Sequence, residues 1–256
     1  MKKSGRIVIL LIAIILFAMR LCAQQVTNSQ LWTDYLFDIP SGKNLFETEF
    51  SYQTLLGTKE KIARWYSMNL TPAYERSMNK YVDLISSLGF SYTIQNDTTN
   101  SIEVRPMVGA RFYLTPEFRL QTRLTFRYEH RFFKETGSSN LQNADRIRFR
   151  PELVFPVTKR SYFDDKMLYV LADVEFFVDL GNPIHETFSN QVRNRVGLGY
   201  RFNYNVRLEG IYMLQRSKNE IEDDFDTRDN IYRIRMKVYL PFKSPLLLQR
   251  KEGDGN

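Results

Sequence analysis

Residues able to do acid–base or nucleophilic chemistry are scarce in this chain. It has two histidines, His130 and His185, and one cysteine, Cys22. His185 lies in PIHETFSNQVRNR, where Ser189 and Asn190 supply the residue types of nucleophilic hydrolysis. Asp223, Asp224, Asp226 and Asp229 crowd one polar stretch and could hold calcium loosely. That stretch lacks the glycine and distal glutamate of an EF-hand loop, so a solvated acidic loop is the plainer reading. No phosphate-cradling glycine pattern, zinc ligand set or nucleic-acid motif is present, and no metal or cofactor is implied. The charged type that recurs in a pattern is arginine. In RLQTRLTFRYEHRFF, 119–133, Arg119, Arg123, Arg127 and Arg131 share odd positions with Glu129, while Leu120, Leu124, Phe126, Tyr128, His130 and Phe132 take the even ones.

Alternation of this kind belongs to strands, whose successive side chains point to opposite faces. Period-two runs recur at 30–38, 45–54, 62–75, 81–94, 102–114, 118–132, 146–155, 167–179, 191–202, 206–215 and 231–242, separated by turn residues. The links LTPE and NYN are tight, whereas the polar stretches 133–145 and 216–230 are long. An eleventh strand puts the two ends of a barrel on opposite sides, and bacterial single-chain membrane barrels have even counts. The expectation is therefore an all-β, transmembrane, antiparallel up-and-down barrel of about twelve strands, with ten as the alternative. An N-terminal segment lying inside the barrel or along its rim is a further way to reconcile the count.

The first residues supply a compartment. Lys2, Lys3 and Arg6 precede the apolar run 7–19, and Leu21-Cys22-Ala23 offers small residues for cleavage. This is the layout of a secretory signal peptide over 1–23, leaving 24–256 as a single barrel domain. The lone cysteine leaves with it, so the mature chain has no thiol chemistry. Losing four basic residues and no acids takes the formal charge from +7 to +3, too mild to argue for nucleic acid. A chain without a second long apolar run can span a bilayer only as a closed barrel.

Period two alone does not say which face points inward. Ten to twelve strands with an apolar interior would leave a broad void. The segment 118–132 is longer than the ~9–11 residues a tilted strand needs to cross hydrocarbon. Aromatic residues gather near strand ends, as interfacial girdles do. With the apolar face outward, the lumen receives Arg119, Arg123, Arg127, Glu129, Arg131, Arg146, Arg148, Arg150, Glu152, Asp173, Glu175, Asp179, Arg193, Arg195, Arg201, Arg233 and Arg235. Two uses follow: a structural plug of cross-strand ion pairs, or an anion-favouring path lined by arginine.

Outer-membrane phospholipases carry a His-x-Ser-Asn grouping on the outer surface of their barrel. Here Ser189 follows His185 by four residues rather than two, and both share parity with Arg193 and Arg195, the lumen side. Over most of the mature chain, Trp32, RYEHRFF (127–133), RIRFRPEL (146–153), NRVGLGYRFN (194–203), EGIYMLQ (209–215) and NIYRIRMKVYLPF (230–242) occur together. In order and content they resemble an uncharacterised outer-membrane barrel family of Bacteroidetes-type bacteria, domain of unknown function 2490. The resemblance implies fold and location and brings no activity or site residues. The resulting expectation is an exported, integral outer-membrane barrel with an arginine-rich lumen, a narrow pore or structural envelope protein without enzymatic activity. A phospholipase-like enzyme and a soluble periplasmic lipid-binding barrel are the alternatives. The partners expected are membrane lipid and the barrel-insertion machinery; oligomeric state is not readable.

Overall fold

The computed structural model describes residues 26–58, 65–95, 100–180, 189–218 and 225–240. The expected signal segment, 1–23, lies outside them. Eleven strands and no helix occur among the described residues: β1 (Val26–Ser41), β2 (Asn44–Thr58), β3 (Trp65–Ser77), β4 (Val82–Gln95), β5 (Ser101–Tyr113), β6 (Gln121–Glu135), β7 (Leu141–Pro156), β8 (Met167–Leu180), β9 (Ser189–Arg201), β10 (Val206–Lys218) and β11 (Phe225–Tyr239). They form one closed barrel in which each strand pairs with its neighbours in sequence, and β1 closes on β11.

The antiparallel up-and-down barrel is present, with a strand count between the twelve expected and the ten held as alternative. Parity is accommodated at the seam. β1 and β11 run parallel, from Gln30 opposite Ile231 to Asp38 opposite Tyr239, while every other pair is antiparallel. One parallel pair is what lets an odd number of strands close. The start of β1 therefore lies at the opposite end of the barrel from the end of β11.

Short links gather at one end. Gly42 and Lys43 join β1 to β2 in a two-residue turn, with Gly42 at φ 58°, a conformation glycine adopts without steric cost. Thr115 closes the β5–β6 link by accepting the Thr122 N–H at 2.8 Å and donating to the Leu120 carbonyl at 2.7 Å. Asn203 accepts the N–H groups of Asn205 and Val206, both at 2.9 Å, tightening β9 into β10. The β7–β8 link, 157–166, belongs to this end but is long, and it does not stay outside. Its Tyr162 is buried among interior side chains.

Burial is inverted relative to a water-soluble barrel. Large apolar side chains are exposed on all eleven strands, among them Tyr35, Phe50, Leu70, Phe90, Val108, Phe126, Ile147, Phe176, Leu198, Leu208 and Ile234. Phe126, Phe149 and Phe176 line up on this outer surface with ring centroids 4.8 and 6.2 Å apart. The buried set is rich in Arg, Asp and Glu. Among the described residues two small apolar clusters form inside, one of Val154, Tyr162, Met167, Tyr169, Leu171 and Ile211, the other of Trp32, Met213 and Ile231.

The charged lumen as candidate functional site

The inner wall over β6 to β9 is an alternating chain of opposite charges. Glu129, fully buried, accepts from Arg146 at 3.1 and 2.8 Å and from Arg148 at 2.5 Å. Arg148 also donates to Glu175, at 3.0 and 2.6 Å. Glu175 in turn accepts from Arg195 at 3.1 Å, and Arg195 donates to Asp173 at 2.6 Å. The order Arg146–Glu129–Arg148–Glu175–Arg195–Asp173 gives each buried charge an opposite neighbour, the condition under which ions tolerate burial. Phe177 lies beneath them, its ring 4.8 to 4.9 Å from the guanidinium carbons of Arg146, Arg148 and Arg193.

A second network crosses the parallel seam. Arg233 donates to Asp34 and, at 3.2 Å, to Glu49; Arg235 reaches Glu209 at 3.3 Å. Lys237 sits 2.8 Å from Asp38 and 2.6 Å from Glu47. Side chains of β11 thus bond to β2 across β1. Elsewhere Arg111 makes a two-pronged bond to Glu75, at 2.8 and 3.0 Å. Arg131 donates to Glu103 at 2.6 Å, and Arg123 pairs with Glu152.

The link 157–166 fills one sector of the short-turn end. The Tyr162 hydroxyl accepts from Arg207, its ring meets Tyr169 edge-on at 5.1 Å, and Arg201 stacks over it at 5.2 Å. Tyr169 donates to Glu209 at 2.5 Å. Glycine on β9 makes room for this packing: a Cβ at Gly199 would lie 2.1 Å from Tyr169 Cζ.

Among the described residues the lumen holds, besides a small pocket of about 50 Å³ at Tyr162 and Tyr169, a cavity of about 1080 Å³. Pro40, Gly42 and Lys43 line it at the short-turn end, and Trp65, Gln95 and Glu135 at the other. One wall carries hydroxyls and amides, including Ser51, Ser67, Asn69 and Ser91; the facing strands present arginines. Arg127 has neither an ion pair nor a hydrogen bond among the described residues, and its buried Nε lacks a partner.

Most of the lumen residues expected from the sequence lie on this inner surface: Arg123, Arg127, Glu129, Arg131, Arg146, Arg148, Arg150, Glu152, Asp173, Glu175, Arg193, Arg195, Arg201, Arg233 and Arg235. Two do not. Arg119 precedes β6 in the β5–β6 turn, donating to the carbonyls of Pro156 and Val157 and stacking on Phe155 at 4.7 Å. Arg119 lies before β6 begins at Gln121, so the strand's alternation does not govern it. Asp179 keeps the inward parity but is exposed at the end of β8.

The hydrolase grouping is not assembled by anything described: His185 and the side chains of Ser189 and Asn190 lie outside the described residues. His130 is on the outer surface, its Nδ1 2.5 Å from Asp145, which also accepts from Tyr128 at 2.5 Å. The acidic stretch is mostly strand rather than loop, since β10 runs to Lys218 and β11 starts at Phe225. Asp229 is buried within the barrel, whereas Asp223, Asp224 and the Asp226 side chain lie outside the described residues. Among the described residues, no cluster of His, Cys, Asp and Glu could hold a metal ion.

Sequence reading missed Asp34, Asp38, Glu75 and Tyr162. The two aspartates alternate with Thr33, Tyr35 and Phe37 in WTDYLFD, the same signal that marked the other strands. The excess length of the β7–β8 link was the only sign of Tyr162.

The family model of a protein of unknown function, DUF2490, matches residues 29–226, spanning the barrel from β1 into β11. No curated protein matches the chain.

Proposed function

The chain belongs to the DUF2490 family of unknown function, and on that premise we propose that it is an integral outer-membrane barrel whose lumen is a narrow polar pore. The observation that carries this reading is the inverted burial, with exposed apolar side chains on all eleven strands around a charged interior. Monomeric soluble proteins do not expose apolar surface on that scale, whereas a hydrocarbon layer requires it. In this reading residues 1–23 direct export, the short turns face the periplasm and the longer links face outward. The seam explains how an odd count departs from the even counts usual in such barrels.

Pore function is supported by the cavity, whose lining includes residues of both barrel ends, with Tyr162 on its wall. A soluble lipid carrier needs an apolar interior, and this one is lined by arginine, carboxylate and hydroxyl groups. Membrane fractionation with a heat-dependent gel shift tests the location: recovery in washed periplasm without a shift rejects it. Planar-bilayer recording tests the pore, with small, steady conductance expected from the purified barrel. A barrel that inserts and never conducts would be a structural element instead.

A further inference from the structure

We infer that Arg127 and Arg150 form a binding site for a small oxyanion near the middle of the lumen. The inference deepens the pore reading, on which it rests only for the route by which the anion enters.

Charge pairing on this wall leaves two arginines unmatched. The neighbouring cations are satisfied: Arg148 by Glu129 and Glu175, Arg123 by Glu152, Arg111 by Glu75. Arg127 has no acceptor among the described residues, and the nearest carboxylate oxygen to Arg150 is that of Glu152, at 3.9 Å. The Nε of each is buried without a partner, as is that of Arg123, so the two are set apart by their missing close ion pairs rather than by Nε alone. In register, Arg127 lies opposite Arg148 and Arg150 opposite Thr125, so the two arginines occupy adjacent inward positions on β6 and β7. Both side chains are half-buried on the cavity wall, and like charges held side by side in so confined a space repel more than they would in open water. An oxyanion in the cavity that both arginines line supplies the missing charge and the missing acceptors.

Local shape supports the same reading. Gly109 lies directly opposite Arg127 on β5, and a Cβ there would meet Arg127 Cγ at 3.0 Å and the Phe126 carbonyl at 2.1 Å. The arginine stem thus lies flat against the wall in space that glycine leaves. Guanidinium groups recognise carboxylate and phosphate oxygens through paired N–H donors. The class of ligand is accordingly a phosphate- or carboxylate-bearing solute.

The test uses the purified full-length barrel in detergent with inorganic phosphate as probe. Phosphorus NMR line broadening reads binding, and thermal unfolding is compared in phosphate and in chloride of equal ionic strength. The expected result is saturable broadening and a higher unfolding temperature in phosphate. Arg127→Gln and Arg150→Gln should each weaken binding roughly tenfold to hundredfold. In phosphate-free chloride, Arg127→Gln should unfold at no lower temperature than wild type, because it removes repulsion. Arg119→Gln, altered on the turn, should bind as wild type does. Unchanged broadening in Arg127→Gln, equal protection by chloride, or loss of stability in Arg127→Gln without phosphate would each overturn the site. A barrel that shows the heat shift but binds no phosphate overturns the site alone. Phosphate binding by a chain recovered from the periplasm overturns the location and leaves the site standing.

Discussion

Glu129→Gln probes the charge chain at its most buried acid. Wild-type Glu129 accepts three N–H bonds, from Arg146 at 3.1 and 2.8 Å and from Arg148 at 2.5 Å. Glutamine keeps the volume but offers one oxygen and turns an amide N–H₂ toward a guanidinium. Arg148 retains Glu175, whereas Arg146, only 2% exposed, is left against the ring of Phe177. Removing one partner of a buried pair costs about 3–5 kcal/mol. With an m value of about 3 kcal/mol/M, the urea midpoint falls by roughly 1–1.7 M. The assay is urea unfolding in detergent followed by tryptophan fluorescence; Trp32, stacked under Arg193 at 5.3 Å, reports on the interior. Glu117→Gln, which removes the exposed partner of Lys80, is the control and should leave the midpoint in place. Adding Arg146→Met to Glu129→Gln should recover much of the loss, since deleting both partners removes the stranded charge. Equal midpoints for the Glu129 and Glu117 variants, or no recovery in the double variant, would refute the reasoning.

Phe126→Lys puts a charge into the outer aromatic row and should cost about 2–4 kcal/mol in lipid refolding titrations; a neutral or stabilising effect would count against a membrane-facing surface. Tyr162→Gly empties the sector beside Tyr169 and Arg207 and should raise single-channel conductance. Identical conductance would mean that ions do not pass that sector. Gly199→Ala places a methyl where Tyr169 lies, separating Tyr169 from Glu209, and should cost about 1–3 kcal/mol by chemical unfolding.

All eleven strands were legible because alternation is local: Arg127, Glu129 and Arg131 declare one face and Phe126, Tyr128 and Phe132 the other. Alternation marks eleven segments, whereas the even counts usual in bacterial barrels point to twelve or ten. Which strands meet at the seam is a long-range pairing, and nothing near residues 26–41 announces that β1 runs parallel to β11. The arginine-bearing wall was also legible, but its apolar members were not. Met167, Tyr169, Leu171 and Phe177 face inward between apolar outward neighbours, so β8 shows little alternation there. Pairing partners within the lumen, such as Glu75 with Arg111, depend on side-chain reach across three strands, which spacing along one strand does not encode.

The parallel seam fixes an order of assembly. The Asp34–Arg233 bond joins residues 199 positions apart, so the barrel's circumference cannot close until its last strand exists. Until then β1 and β10 present open edges, the state in which sheets pair with wrong partners. Everything between them can zip hairpin by hairpin through near neighbours, while the final step bears the whole loop-closure cost. Arg233 and Lys237, which reach across β1 to Glu49 and Glu47, reward that step only when β1, β2 and β11 meet together. Closure is thereby a cooperative event among three strands, and the first strand translated is held for the last.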